Sequence, residues 1–321
     1  MVVLESFHAR RAAIIYNPIA RALSRRLHQL QRITDLLAAQ GIQAKLVATA
    51  APGSAGAQTR QEIQNGCDLI IAAGGDGTIN EVAEGMLYSQ VPLAILPGGT
   101  ANVLARELRI PMQMQKVAGQ ISSLEPCRIA VGSLRERSRA PRCFLCMAGA
   151  GLDAEIVLRL NLDLKAVAGK LAYYVAGFSQ VVRPIYEFDV RVDGQTYRAS
   201  FALVSRVRNY GGDLEIARGA SLLRDEFEIV LFEGGVSARY LYYLAGVAAG
   251  QAQRIKGCTV LRGRSVTCAP PGNREIYVQV DGELAGTLPA SIELLQDALT
   301  LLVPSAYLAK ERALAATPAF A

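Results

Sequence analysis

The stretch DLIIAAGGDGTINEVAEGM (68–86) decides the architecture of the first half of the chain. An apolar run, Leu69–Ala73, passes without a linker into Gly74-Gly75-Asp76-Gly77, and a helical pattern starts at once. Thr78 and Glu81 have the S/T-x-x-E spacing of a capping box, which makes Thr78 the expected N-cap. Glycines allow a tight turn and close approach of backbone to a phosphate, and a helix N-terminus presents free N–H groups. Asp76 is the carboxylate that a Mg²⁺–phosphate site requires. An ordinary glycine-rich strand-to-helix turn would have the same letters.

Working outward, the same strand–turn–helix unit recurs. AAIIY (12–16) ends in Asn17-Pro18, a strand at 44–49 ends at Thr49, and LAIL (93–96) leads into PGGTAN (97–102) with Gly99, Thr100 and Asn102. Helical patterns cover 22–40, 57–65, the residues from Thr78 and those from Ala101. This rhythm predicts a doubly wound parallel sheet with helices on both faces. Such sheets bind ligands beyond the carboxyl ends of their strands. Four polar or glycine turns on one edge point to a nucleotide site, although neither a Walker lysine motif nor a G-x-G-x-x-G fingerprint is present.

From Cys127 the pattern changes to short strands at hairpin spacing, interrupted by helical stretches at 153–182 and 241–252. The expected domains are an α/β domain over 1–126, an antiparallel β-sandwich-like domain over 127–302, and a tail, 303–321, that rejoins the first. Two hairpins share an Asp-Gly turn, Val192-Asp193-Gly194-Gln195 and Val280-Asp281-Gly282-Glu283. Only the second places an acid after the turn.

Apolar residues make up 51% of the 321 and mean hydropathy is +0.22, which excludes a disordered chain. No uninterrupted apolar run reaches the length of a membrane span, and Glu5 and His8 lie where a signal peptide needs its apolar core. The expectation is a cytoplasmic protein associated peripherally with membranes. The net charge of +6 is spread out and there is no Trp, which argues against nucleic acid and for attraction to an anionic membrane surface. The cluster Arg135, Arg137, Arg139 and Arg142 suits a solvated loop better than a docking site. Six cysteines, with Cys143 and Cys146 in an apolar run, suggest reduced thiols in strand core rather than a zinc site.

GGDGTINEV (74–82) and LPGGTANVLARELRIP (96–111) resemble the catalytic domain of diacylglycerol kinases, a family that includes bacterial lipid kinases and sphingosine and ceramide kinases. The likeness continues through GAGLDAEIV (149–157), GKLAYYVAGF (169–178), Tyr210-Gly211-Gly212, GASLLRDEFEIVLF (219–232) and VDGELAG (280–286). It implies a two-domain, ATP- and Mg²⁺-dependent lipid kinase with ATP in an interdomain cleft. By the same resemblance Thr49, Gly74, Gly75, Asp76, Gly77, Thr78, Ile79, Asn80 and Thr100 contact ATP, alongside the turn residues Asn17, Pro18, Gly99 and Asn102. Glu283 is implied as the general base, and Asp225 with the carbonyls of Leu222 and Phe227 as a cation site. The acceptor is implied to be a diacylglycerol-like, phosphatidylglycerol-like or sphingoid hydroxyl, held by apolar residues such as those of the 153–182 helix. Departures from the family pattern are Ala20, Arg206 in place of a common Asn, Arg218 before Gly219, and Glu226 in place of glycine after Asp225. They predict a weakened cation site. Two further readings are a soluble NAD kinase-like enzyme and an inactive lipid- or nucleotide-sensing homologue.

Overall fold

In the computed structural model, which describes residues 8–18, 27–163, 185–211, 214–235, 240, 242–243, 246, 250–251 and 254–316, the alternating runs of the first third become alternating elements. They are β1 (Arg11–Tyr16), α1 (Leu27–Ala38), β2 (Gln43–Ala48), α2 (Ala55–Gln64), β3 (Leu69–Gly74), α3 (Asp76–Gly85), β4 (Leu93–Pro97), α4 (Val103–Glu107) and α5 (Met114–Ala118). The chain divides into two units, residues 1–130 with 296–321, and residues 131–295.

The first unit is built on a parallel sheet in the order β2-β1-β3-β4. β3 and β4 are buried along their whole length, as strands covered on both faces by helices must be. The helices form two groups, α1 with α5 and α2 with α3. Helix α3 buries Ile79, Val82 and Ala83, and its C-cap Met86 continues the stripe of helical period. Against α2 it packs backbone to backbone: a Cβ on Gly85 would stand 2.4 Å from the Gly56 oxygen.

The second unit follows from β5 (Glu125–Glu136), whose end pairs with β6 (Arg142–Phe144). Then come β7 (Met147–Gly151), α6 (Leu152–Asp163), β8 (Phe188–Val192), β9 (Gln195–Ala199), β10 (Phe201–Ser205), β11 (Asn209–Gly211), β12 (Leu214–Glu215), β13 (Phe227–Phe232), β14 (Cys258–Gly263), β15 (Ser265–Ala269), β16 (Tyr277–Val280), β17 (Glu283–Thr287) and β18 (Ala290–Val303). One antiparallel sheet has the order β14-β13-β10-β7-β16-β17. A second set pairs β9, β8, β15 and the start of β18. Alternate residues of both sets form one core: Phe188, Val190 and Val192 from β8 meet Phe227, Ile229 and Leu231 from β13. The small residues of β7, MAGAG, are all buried in the middle of the first sheet.

β18 ends in the first unit, where Leu301 lies parallel to Leu93 of β4, and α7 (Ser305–Ala316) follows with Tyr307 and Leu308 buried. Most expected elements lie within one or two residues of those observed. The exception with a functional bearing is the start of α3. Its N-cap is Gly75, in extended backbone, and not Thr78. Glu81 makes no capping box; its carboxylate accepts from Gly53 N at 3.1 Å and Ala55 N at 3.3 Å. Ala20, the 169–178 segment and Gly212 lie outside the described residues, as does most of the expected 153–182 helix beyond Asp163.

Candidate active site

The parallel registers align the ends of four strands. Tyr16 faces both Ala48 and Ala73, and Gly74 faces Pro97. Asn17-Pro18, Thr49, the turn 74–78 and the loop 98–102 therefore line one edge of the sheet. Thr49 N donates to Tyr16 O at 2.9 Å, and Gly98 N donates to Gly74 O at 2.7 Å. The two glycine turns touch through their backbones: a Cβ on Gly99 would stand 2.5 Å from the Gly75 Cα. Gly74 is constrained too, since a Cβ there would stand 2.9 Å from the Thr78 Cβ. Loop packing alone thus accounts for glycine at 75 and 99.

Asn102 closes the second loop on itself. It adopts φ 48°, its Oδ1 accepts from Gly99 N at 2.8 Å, and its Nδ2 donates to Gly99 O at 2.9 Å. Gly99 and Thr100, beside it, are exposed, while Asn80 is buried within α3 and Ile79 belongs to its apolar stripe. Asp76 occupies the first position of α3, and its Oδ1 accepts from Leu104 N at 3.2 Å. Desolvation holds its carboxyl above the usual range, opposed by backbone N–H groups of Val103, Leu104, Asp76 itself and Asn102. A poorly solvated carboxylate beside exposed loops suits a cation that keeps phosphate and water ligands and takes one protein carboxylate. The N–H groups of Gly77 and Thr78, in the first turn, have no acceptor within the helix.

In the second unit, Glu283 opens β17 just after a turn in which Asp281 has φ 47° and Gly282 φ 81°. Its carboxylate is 2.8 Å from Arg142 Nη2, with side chains 58% and 34% exposed respectively. One arginine of the basic loop is therefore committed to Glu283. Asp281 does not face solvent in the same way: it accepts from Leu145 N, Cys146 N and Met147 N at 3.1, 3.1 and 2.8 Å. The second Asp-Gly hairpin behaves alike, with Asp193 accepting from Arg264 N and Ser265 N.

A buried network, unsuspected from sequence, supports the Glu283 turn. Gly282 N donates to Gln279 Oε1 at 2.9 Å, and Gln279 Nε2 donates to Asp153 Oδ2 at 2.7 Å. Tyr210 donates its hydroxyl to the other oxygen of Asp153. Asp153 is wholly buried, and Gly149 makes its room: a Cβ there would stand 1.5 Å from the carboxylate. Burial pushes the Asp153 carboxyl up to about 6, against the bonds from Tyr210 and Gln279. Because its folded value lies above its unfolded one, the stability it contributes is complete below pH 3.8 and is lost as pH rises through about 6. A shift of this size corresponds to a loss on the order of 3 kcal/mol. Asp153→Asn should gain on the wild type in melting temperature between pH 4 and 7. A gap independent of pH would refute this.

In the loop expected to hold a cation, two carbonyls accept from arginines. Leu222 O accepts from Arg206 Nη2 at 2.7 Å, and Asp225 O accepts from Arg264 Nε at 2.8 Å. The Asp225 side chain is exposed, while Phe227 is the first residue of β13, paired with Gly263.

The chain thus joins a parallel α/β unit, with two glycine turns and a carboxylate at a helix start, to an antiparallel sheet unit. Family comparison is specific on this point. The diacylglycerol kinase catalytic domain matches residues 11–134, and the YegS C-terminal NAD kinase beta sandwich-like domain matches residues 146–303. A diacylglycerol kinase of Bacillus subtilis (strain 168) is 27% identical over 302 residues, covering 92% of this chain and 97% of its own. One from Staphylococcus carnosus (strain TM300) is 25% identical over 302 residues, covering 92% and 95%. A solved diacylglycerol kinase structure from Bacillus anthracis str. Sterne superposes with a TM-score of 0.73 at 26% identity, covering 94% of this chain and 99% of that one. The chain belongs to the diacylglycerol kinase catalytic-domain family, a family of lipid kinases.

Proposed function

We propose that this chain transfers the γ-phosphoryl group of ATP to a hydroxyl group of a lipid. The observation that carries the reading is the edge of the first unit, where four strand ends meet and Asp76 stands at the start of α3 beside two glycine turns. Its curated relatives, named diacylglycerol kinases, supply the acceptor class.

In this mechanism the N–H groups at the start of α3 and the exposed Thr100 hold the phosphates, while Gly99, its N–H and carbonyl taken by Asn102, shapes the loop. Asn17, Pro18 and Thr49 border the same edge. Asp76 would hold Mg²⁺, which supplies charge neutralisation on the transferring group. Glu283 accepts the proton of the attacking hydroxyl as the new P–O bond forms and ADP leaves. Arg142, 2.8 Å away, keeps the Glu283 carboxylate aimed. The test is transfer of label from γ-labelled ATP to a panel of diacylglycerol, phosphatidylglycerol, a sphingoid base and NAD, with products separated by chromatography. Label in a lipid is expected. Label in NAD alone would give the soluble-kinase reading, and label in none would overturn the proposal.

A lipid acceptor also requires a route to the membrane. Among the described residues no helix is long and apolar enough to cross one. With a net charge of +6, the protein is proposed to dock on anionic surfaces electrostatically. It should sediment with anionic vesicles more than with neutral ones at ~0.1 M salt, and lose the difference at ~1 M, as the Debye length falls from ~10 to ~3 Å. Equal sedimentation at low salt would refute docking by charge.

A further inference from the structure

Arg206, which follows β10, is among the largest wholly buried side chains of the described residues. A guanidinium taken out of water costs several kcal/mol unless its donors are satisfied. Here they converge on the backbone of one loop. Nη1 donates to Arg224 O and to Glu226 O, the latter at 2.8 Å, and Nη2 donates to Leu222 O at 2.7 Å. With Arg264 Nε on Asp225 O at 2.8 Å, the carbonyls of residues 222, 224, 225 and 226 all face arginine donors. The Glu226 carboxylate is 3.4 Å from Arg262 and 3.7 Å from Arg224, which balances part of the charge. Glu226 is also absent from the described non-glycine residues with positive φ, so the loop has no need of glycine there.

Carbonyl oxygens gathered on one positive centre are what a bound Mg²⁺ or Ca²⁺ requires, at about 2.0–2.6 Å. In this chain a planar cation already takes Leu222 O, one of the two carbonyls expected to ligate, together with the neighbouring carbonyls of Arg224 and Glu226. A second cation would meet both steric overlap and like charge. We propose that the Arg206 guanidinium is a built-in, permanent replacement for the divalent cation expected in the loop 222–227. Arg206 and Glu226 then form one linked change, the first supplying the charge and the second dispensing with the glycine geometry.

The inference does not rest on the kinase reading and is tested without nucleotide. Mn²⁺ binding to the full chain is followed by electron paramagnetic resonance, and melting by circular dichroism with Mg²⁺ or EDTA. The wild type should hold no ion at this loop and melt at the same temperature in both solutions. The paired exchange Arg206→Asn with Glu226→Gly should create an ion-dependent protein, melting higher in Mg²⁺ than in EDTA. A single Mn²⁺ held by the wild type and released by Asp225→Ala would overturn the proposal. An ion that survives Asp225→Ala lies elsewhere and supports the capped loop. Should the paired variant not fold, the wild-type and Asp225→Ala measurements decide alone.

Discussion

An Asp76→Asn protein is expected to lose phosphoryl transfer while melting no lower than the wild type. The side-chain oxygen that accepts from Leu104 N is retained in asparagine, so the contact between α3 and α4 survives. Desolvation disfavours the ionised carboxylate, which offsets the bonds from the surrounding backbone N–H groups that an amide gives up. The activity has no such reserve, because no other acid lies in the glycine turn. A variant that keeps more than about a tenth of the wild-type rate has lost less than about 1.4 kcal/mol of transition-state stabilisation. That result would remove Asp76 from the site. A steady-state assay with ATP and the accepted lipid, beside a melting curve, separates the two quantities.

Glu283→Gln should reduce kcat by about 10²–10⁴-fold, the usual share of general-base assistance, and leave ATP affinity unchanged. Glutamine keeps an oxygen for Arg142, and the turn is held by Asp281 and Gly282. The exchanged ion pair is partly exposed on both sides, so its loss costs at most about 1 kcal/mol of stability. Full activity would put the base elsewhere. Loss of ATP binding with kcat intact would assign Glu283 to the nucleotide.

The sheet edge of the first unit was legible because each of its parts is local. Apolar strands of four to six residues, followed by Asn-Pro or glycine turns, state both the strand and where it stops. The start of α3 was misread for an equally local reason. Thr78 and Glu81 have the spacing of a capping box, yet Glu81 is taken by the N–H groups of Gly53 and Ala55, some 28 and 26 positions away. The glycine before Asp76 then lets the helix begin earlier. The Asp153–Gln279 bond joins positions 126 apart, and neither residue has a spacing that announces the other. The one available signal was Gly149, four before Asp153 in a strand of small residues, which reads as packing until the carboxylate is seen beside it. Arg206 was visible as a departure, but its meaning depends on carbonyls 16 to 20 positions later, which carry no residue-type signature.

The two Asp-Gly hairpins have an evolutionary consequence. In each, the aspartate and glycine fix the turn, the aspartate by accepting from backbone N–H groups of a neighbouring segment. The next side chain, Glu283 in one and Gln195 in the other, stands exposed and bears none of that structural duty. Shape and chemistry are thus encoded at separate positions, and selection can act on one without disturbing the other. A single exchange of glutamate for glutamine would turn the first hairpin into a copy of the second, in a protein that still folds and still recognises its ligands. If Glu283 is the base proposed above, descent from enzyme to silent binding protein would be, along this route, one substitution long.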